Sequence, residues 1–141
     1  MHSKNSLSDP SSPRRRVVII GPAHGGSHSL RLMLERDGHE VQFAPDGPAG
    51  LELARSMEPD VVISSIELPG LDGCELARAI RSSLSRKPLV IAHTAYSKRE
   101  IGERAKAAGF DLYLAKPCLF SDLQRAVASS GEAADLEDLR M

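Results

Sequence analysis

The 141-residue sequence predicts an α/β domain: a parallel sheet with helices packed on both faces. Three observations predict it. The length suits one compact domain with short tails and is too small for two independent cores. Short apolar runs, rich in β-branched residues, alternate along the chain with stretches of helical spacing, five of each. The connections are short, which implies right-handed crossovers between parallel neighbours.

The first strand is Val17 to Ile20, bounded by Gly21-Pro22. Leu30, Met33 and Leu34 then hold one face of a helix, and Gly38 stops it because glycine accepts the left-handed conformation that a helix end needs. Glu40 to Ala44 is the second strand, and Asp46-Gly47-Pro48 starts a helix through Leu51 and Ala54. Asp60 to Ser64 is the third strand, followed by a helix through Leu76, Ala77 and Ile80. Leu89 to His93 is the fourth. Ser97 and Glu100, spaced as a capping box, then open a helix through Ile101, Ala105 and Ala108 that Gly109 closes. Asp111 to Ala115 is the fifth strand, and Leu119, Leu123 and Ala126 mark the fifth helix.

The ordered domain is expected over residues 15–128. Residues 1–14 should form a flexible arm, since MHSKNSLSDPSSP has one Leu among serines and prolines and cannot repay the entropy of ordering. Arg14, Arg15 and Arg16 read as solvated charges flanking a buried strand. Residues 129–141 set Glu132, Asp135, Glu137 and Asp138 against Arg140 and should form a polar, acidic tail or a frayed helical extension.

Composition excludes several classes of function. Hydrophobic residues at 41% and charged residues at 26% rule out global disorder. Lys plus Arg at 18 against Asp plus Glu at 19 gives a net charge of −1, without the basic excess that nucleic-acid binding needs. The longest apolar run near the start, Val17-Val18-Ile19-Ile20, is too short for a signal-peptide core or a membrane span of about twenty residues. Cys74 and Cys118 alone do not make a disulfide scaffold, so a reducing, cytoplasmic setting is expected.

In parallel sheets of this kind the functional crevice lies beyond the carboxyl ends of the strands. Strand 1 runs into Gly21-Pro22-Ala23-His24-Gly25-Gly26, strand 3 into Ser64-Ser65, strand 4 into His93-Thr94-Ala95 and strand 5 into Lys116-Pro117. The segments PDVVISSIELPGLDGCELARAIR, HTAYS and AAGFDLYLAKP stand in this order. Over about residues 15 to 128 the chain resembles the receiver domain of bacterial two-component response regulators. The resemblance implies a flavodoxin-like (βα)5 fold with strand order 2-1-3-4-5. It also implies that Thr94 and Tyr113, nineteen residues apart, are a switch pair, that Lys116 contacts a phosphoryl group, and that the Lys116-Pro117 bond is cis.

The same resemblance locates what is missing. Receivers bind Mg²⁺ through an acidic pair after strand 1 and phosphorylate an Asp at the end of strand 3. The matching positions here are Gly21, Pro22 and Ser65. Magnesium needs hard oxygen ligands, usually one or two carboxylates, and none of these residues supplies one. A Ser hydroxyl would also form a stable phosphate ester where a carboxylate forms a labile acyl phosphate. Ordinary Mg²⁺-dependent aspartyl phosphorylation is therefore not expected. Lys116, without its phosphoryl partner, must find another or reach water, and Glu67, two residues past Ser65, is the nearest candidate in sequence. If Glu67 does not neutralise it, an anion should occupy the crevice.

Other readings of these residues are plainer or weaker. GPAHGG follows a strand and precedes a helix, where backbone amides can hold an anion, but it lacks the Lys-Ser/Thr of a P-loop and reads as a tight turn. His24 and His28 are four apart and His93 ends a neighbouring strand. Gly25-Gly26 between the first two makes a poor helix start, so no metal site is expected. Cobalamin-binding domains share the sheet and place a histidine and a serine where His24 and Ser65 lie, but their Asp falls at Pro22 and their Gly at Ser27. Ser65 as a catalytic nucleophile would have only His93 as base and no nucleophile elbow around it.

The expectation is a stand-alone, atypical receiver that acts in a phosphorelay-type signalling system by protein–protein interaction. It has no catalytic residues, metal or cofactor. Its expected partners are a histidine kinase or another regulator, and a second copy through the face made by helix 4, strand 5 and helix 5. A small-ligand module of anion or cobalamin type is the alternative.

Overall fold

The computed structural model describes residues 14–22, 27–117, 120–129 and 134–141. The N-terminal arm through residue 13, His24, Gly25, Gly26, Cys118 and Leu119 lie outside the described residues. The elements follow the order β1 (Arg16–Ile20), α1 (Ser27–Arg36), β2 (Glu40–Ala44), α2 (Gly47–Met57), β3 (Val61–Ser64), α3 (Gly73–Ser83), β4 (Leu89–Thr94), α4 (Lys98–Ala108), β5 (Leu112–Ala115) and α5 (Phe120–Ser129). A 3₁₀ helix over Ala134–Leu139 follows. The five strands form one sheet in the order β2-β1-β3-β4-β5, and every neighbouring pair is parallel, as a flavodoxin-like (βα)5 fold requires.

The apolar strand residues alternate between two cores, which is the period-2 consequence of the pleat. Val18, Ile20, Val62, Val90 and Ala92 face the core shared with α2, α3 and α4. Val17, Ile19, Val61, Ile63, Ile91, Leu112 and Leu114 face the core shared with α1 and α5. Each fully buried Val or Ile contributes about 1.5–3 kcal/mol.

The helix ends follow local chemistry. Asp46 caps α2 by accepting from the Ala49 amide at 2.8 Å. Ser97 and Glu100 form the expected capping box on α4, and Asp72 with Glu75 forms a second one on α3. Gly38 and Gly109 sit at φ 100° and 111°, the left-handed region that ends α1 and α4. Among the described residues no helix is long and apolar enough to cross a membrane.

The C-terminal segment is the largest departure from expectation. The charges of residues 129–141 suggest a polar tail or a frayed helical extension, but within its 3₁₀ helix Leu136 is fully buried and Leu139 nearly so, both in the core with α1, β5 and α5. Arg140 forms an antiparallel bridge with Leu112, and the Met141 amide donates to the Asp111 carbonyl at 3.1 Å. The two leucines, three residues apart, put their side chains on one side of the 3₁₀ turn and leave Glu137 and Asp138 outside.

Candidate functional site

The site is assembled by four strand ends. The Ser65 amide donates to the Ile20 carbonyl at 3.0 Å and extends the β1–β3 pairing by one step. The Lys116 amide donates to the Thr94 carbonyl at 2.8 Å and does the same for β4 and β5. Ser65 and Thr94 are buried, Lys116 is half-buried, and the Lys116–Pro117 peptide is cis. Lys116 Nζ donates to Ser65 Oγ at 3.1 Å.

Gly21 belongs to the same arrangement. A Cβ at this position would lie 2.7 Å from Ser65 Oγ, so any side chain here, carboxylate included, would displace the hydroxyl that Lys116 holds. Gly21 and the Ser65–Lys116 bond are therefore mutually fitted. Pro22 beside it offers no carboxylate.

Ser65, Lys116 and His93 line a recess of about 20 Å³ floored by Ile19, Ile63 and Leu30, room for about one water molecule. Burial, and then the charge of Lys116, push the His93 imidazole down to about 4, so it is neutral at pH 7. Burial also lowers the Lys116 ammonium below its usual range. The crevice thus holds a neutral imidazole beside a partly desolvated lysine. Among the described residues, no group of three or more His, Cys, Asp or Glu side chains is placed to hold a metal ion. His28 is exposed on α1.

The proposed pairing of Glu67 with Lys116 is corrected by the geometry. The exposed Glu67 carboxylate accepts from the Tyr96 hydroxyl at 2.6 Å, while Lys116 turns to Ser65. Nearness in sequence misled here because the loop after Ser65 carries Glu67 outward, toward the β4–α4 connection.

Tyr96, which sequence reasoning did not single out, joins the rest. Its amide donates to Thr94 Oγ1 at 3.1 Å, its carbonyl accepts from the Tyr113 hydroxyl at 2.7 Å, and its own hydroxyl reaches Glu67. Thr94 and Tyr113 therefore meet through the backbone of Tyr96. The Glu67 carboxylate, by hydrogen bond and by charge, raises the Tyr96 phenol above its usual range. The available signal was a tyrosine two residues past a strand-ending threonine, in reach of both neighbouring loops.

A flavodoxin-like sheet that gathers a hydroxyl, a lysine and an aromatic at its strand ends is the arrangement that the resemblance to receiver domains implies. The response regulator receiver domain family matches residues 17–128, and the chain belongs to that family. It is 39% identical over 114 residues to the transcriptional regulatory protein PdtaR of Mycobacterium tuberculosis, covering 80% of this chain and 55% of that protein. It is 34% identical over 110 residues to the response regulator MprA of Mycolicibacterium vanbaalenii, covering 77% of this chain and 46% of that protein. The chain thus spans about half the length of the curated relatives it matches. Among solved structures it is similar to the receiver domain of the sensor histidine kinase PA1611 from Pseudomonas aeruginosa. The TM-score is 0.76 and the identity 26%, covering 86% of this chain and all of that one, whose cleft holds a magnesium ion. The protein is thus a receiver domain of two-component signalling.

Proposed function

We propose that this receiver acts by protein recognition and does not undergo Mg²⁺-dependent aspartyl phosphorylation. One observation carries the reading: Gly21, Pro22 and Ser65 supply no carboxylate, and Lys116 Nζ is hydrogen-bonded to Ser65 Oγ. A metal would meet a hydroxyl and an ammonium where it needs anionic oxygen. The recess of about 20 Å³ beside them favours a protein surface over a small-ligand pocket as the recognising element. The partners are a histidine kinase or another cytoplasmic signalling protein, and a second copy through the face of α4, β5 and α5. Neither catalysis nor nucleic-acid binding is part of this reading.

Incubation with acetyl phosphate and Mg²⁺, followed by intact mass measurement, tests it. The mass should not change, and Ser65→Asp alone should not restore the reaction, because the metal still lacks its acidic pair. A phosphoryl adduct on the wild type, or Mg²⁺-dependent phosphorylation of the single variant, would overturn the reading.

A further inference from the structure

The two edges of the sheet are protected differently. β2 carries Glu40, which pairs with Arg16 at 3.6 Å, and exposed Gln42. β5 has the sequence LYLA, with no charge and no proline, and pairs with β4 on one side only. An uncharged edge strand is a template for pairing, and the best-matched template is the same edge of an identical chain. Residues 134–141 lie against this edge. Leu136 and Leu139 enter the core on the α5 side, Arg140 bridges Leu112, and Met141 packs against the core on the α4 side. Exposed Lys98 at the start of α4 donates to the Arg140 carbonyl.

We propose that residues 134–141 are a displaceable strap over the β5 edge, and that self-association through β5 requires its release. The strap's hold is narrower than any pairing within the sheet. Its backbone pairing is one isolated bridge and the Met141 amide bond to Asp111. Its side-chain hold is two buried leucines, the packing of Met141 and the exposed Lys98 contact, whereas β4 and β5 pair over four residues. It can therefore leave while the sheet stays closed, exposing the backbone edge of Leu112 together with apolar surface of β5 and α5. The exposed Glu137 and Asp138 add negative charge on the strap's outer side, a further obstacle to a bare apolar contact. The inference rests on the self-association named in the proposed function, and on nothing about phosphorylation.

The test uses the full chain carrying Leu136→Asp with Leu139→Asp, analysed by light scattering and sedimentation over a concentration series. The double variant should dimerise about tenfold more tightly than wild type or better. A synthetic ADLEDLRM peptide added in excess should return it to monomer. Lys98→Ala, which removes an exposed contact and no buried side chain, should shift the equilibrium the same way by less. Equal dimerisation of wild type and both variants would show that the strap gates nothing, while self-association itself stands. Monomers throughout, with native circular dichroism, would remove both the strap and the self-pairing. A double variant that unfolds, with Lys98→Ala indistinguishable from wild type, would make the segment a fixed part of the core and overturn the proposal as well.

Discussion

At the amino ends of the strands Arg81 donates to the Gly109 carbonyl from Nε and Nη2, to the Pro88 carbonyl at 3.1 Å and to the Asp111 carboxylate. At the carboxyl ends the Lys116 ammonium makes one side-chain hydrogen bond, to Ser65. The same contrast holds nearby. Asp60 accepts from the Arg16 amide at 2.8 Å and from Arg86, whereas His93 sits neutral beside Lys116. One end uses full charges to tie strands and loops together. The other sets a neutral imidazole and a single lysine in a small recess beside buried hydroxyls.

Acid should expose the difference most strongly. His93 has a folded-state value of about 4 against 6.5 for a free imidazole, so the unfolded chain takes the proton first as pH falls. Its contribution to stability is complete above pH 6.5 and is lost on the way down to about 4, up to about 3 kcal/mol. Urea titrations across that window should show the loss, and His93→Gln should remove most of it. His39, lowered in the same direction by burial, accounts for a remainder.

At the amino end substitution matters more than pH. Arg81→Met should cost about 2 kcal/mol in urea unfolding at pH 7, because Asp111 loses its cation and two carbonyls lose their donor. Lys116→Met should cost much less, since it removes a single hydrogen bond from a half-buried amine, and it should raise the His93 titration midpoint seen by NMR by removing the neighbouring charge.

Two smaller effects sharpen the account of the carboxyl end. Gly21→Ala should cost about 1 kcal/mol by forcing Ser65 Oγ aside, and the cost should largely vanish in a Ser65→Ala background, where the new Cβ has only the Ser65 Cβ position at 3.6 Å as a neighbour. Additive costs in that double-variant cycle would mean that Gly21 is needed for another reason. Glu67→Gln should leave stability nearly unchanged and bring the Tyr96 phenol back toward its usual range, measured by phenolate absorbance.

The strands were legible because VVII, VVIS and LVIA are β-branched runs whose burial on both faces leaves few polar alternatives. Ser97 and Glu100 announced a capping box by spacing alone, and the convergence of Ser65, Thr94 and Lys116 followed from the strand order. Asp72 and Glu75 carry the same spacing and the same capping box. What was not legible depends on distances across the chain. Glu67 is two residues from Ser65, yet its partner is Tyr96, on the far side of α3 and β4 in sequence. In residues 134–141 charge dominates the sequence and points to a polar tail or a frayed helical extension. Their two leucines decide their place, because a short turn can bury one side and leave Glu137 and Asp138 in water.

Tyr96 has a consequence for signalling. Its amide, carbonyl and hydroxyl are each committed to a different neighbour: Thr94, Tyr113 and Glu67. A change at one neighbour that moves the residue alters the terms of the other two. If drawing Glu67 from the phenol moves the Tyr96 carbonyl, a partner that binds Glu67 biases the position of the Tyr113 ring. By thermodynamic reciprocity, a partner that selects one position of Tyr113 changes the affinity at Glu67 by the same factor. Two proteins bound at separate loops of this domain would then compete or cooperate without touching, with no phosphoryl group between them.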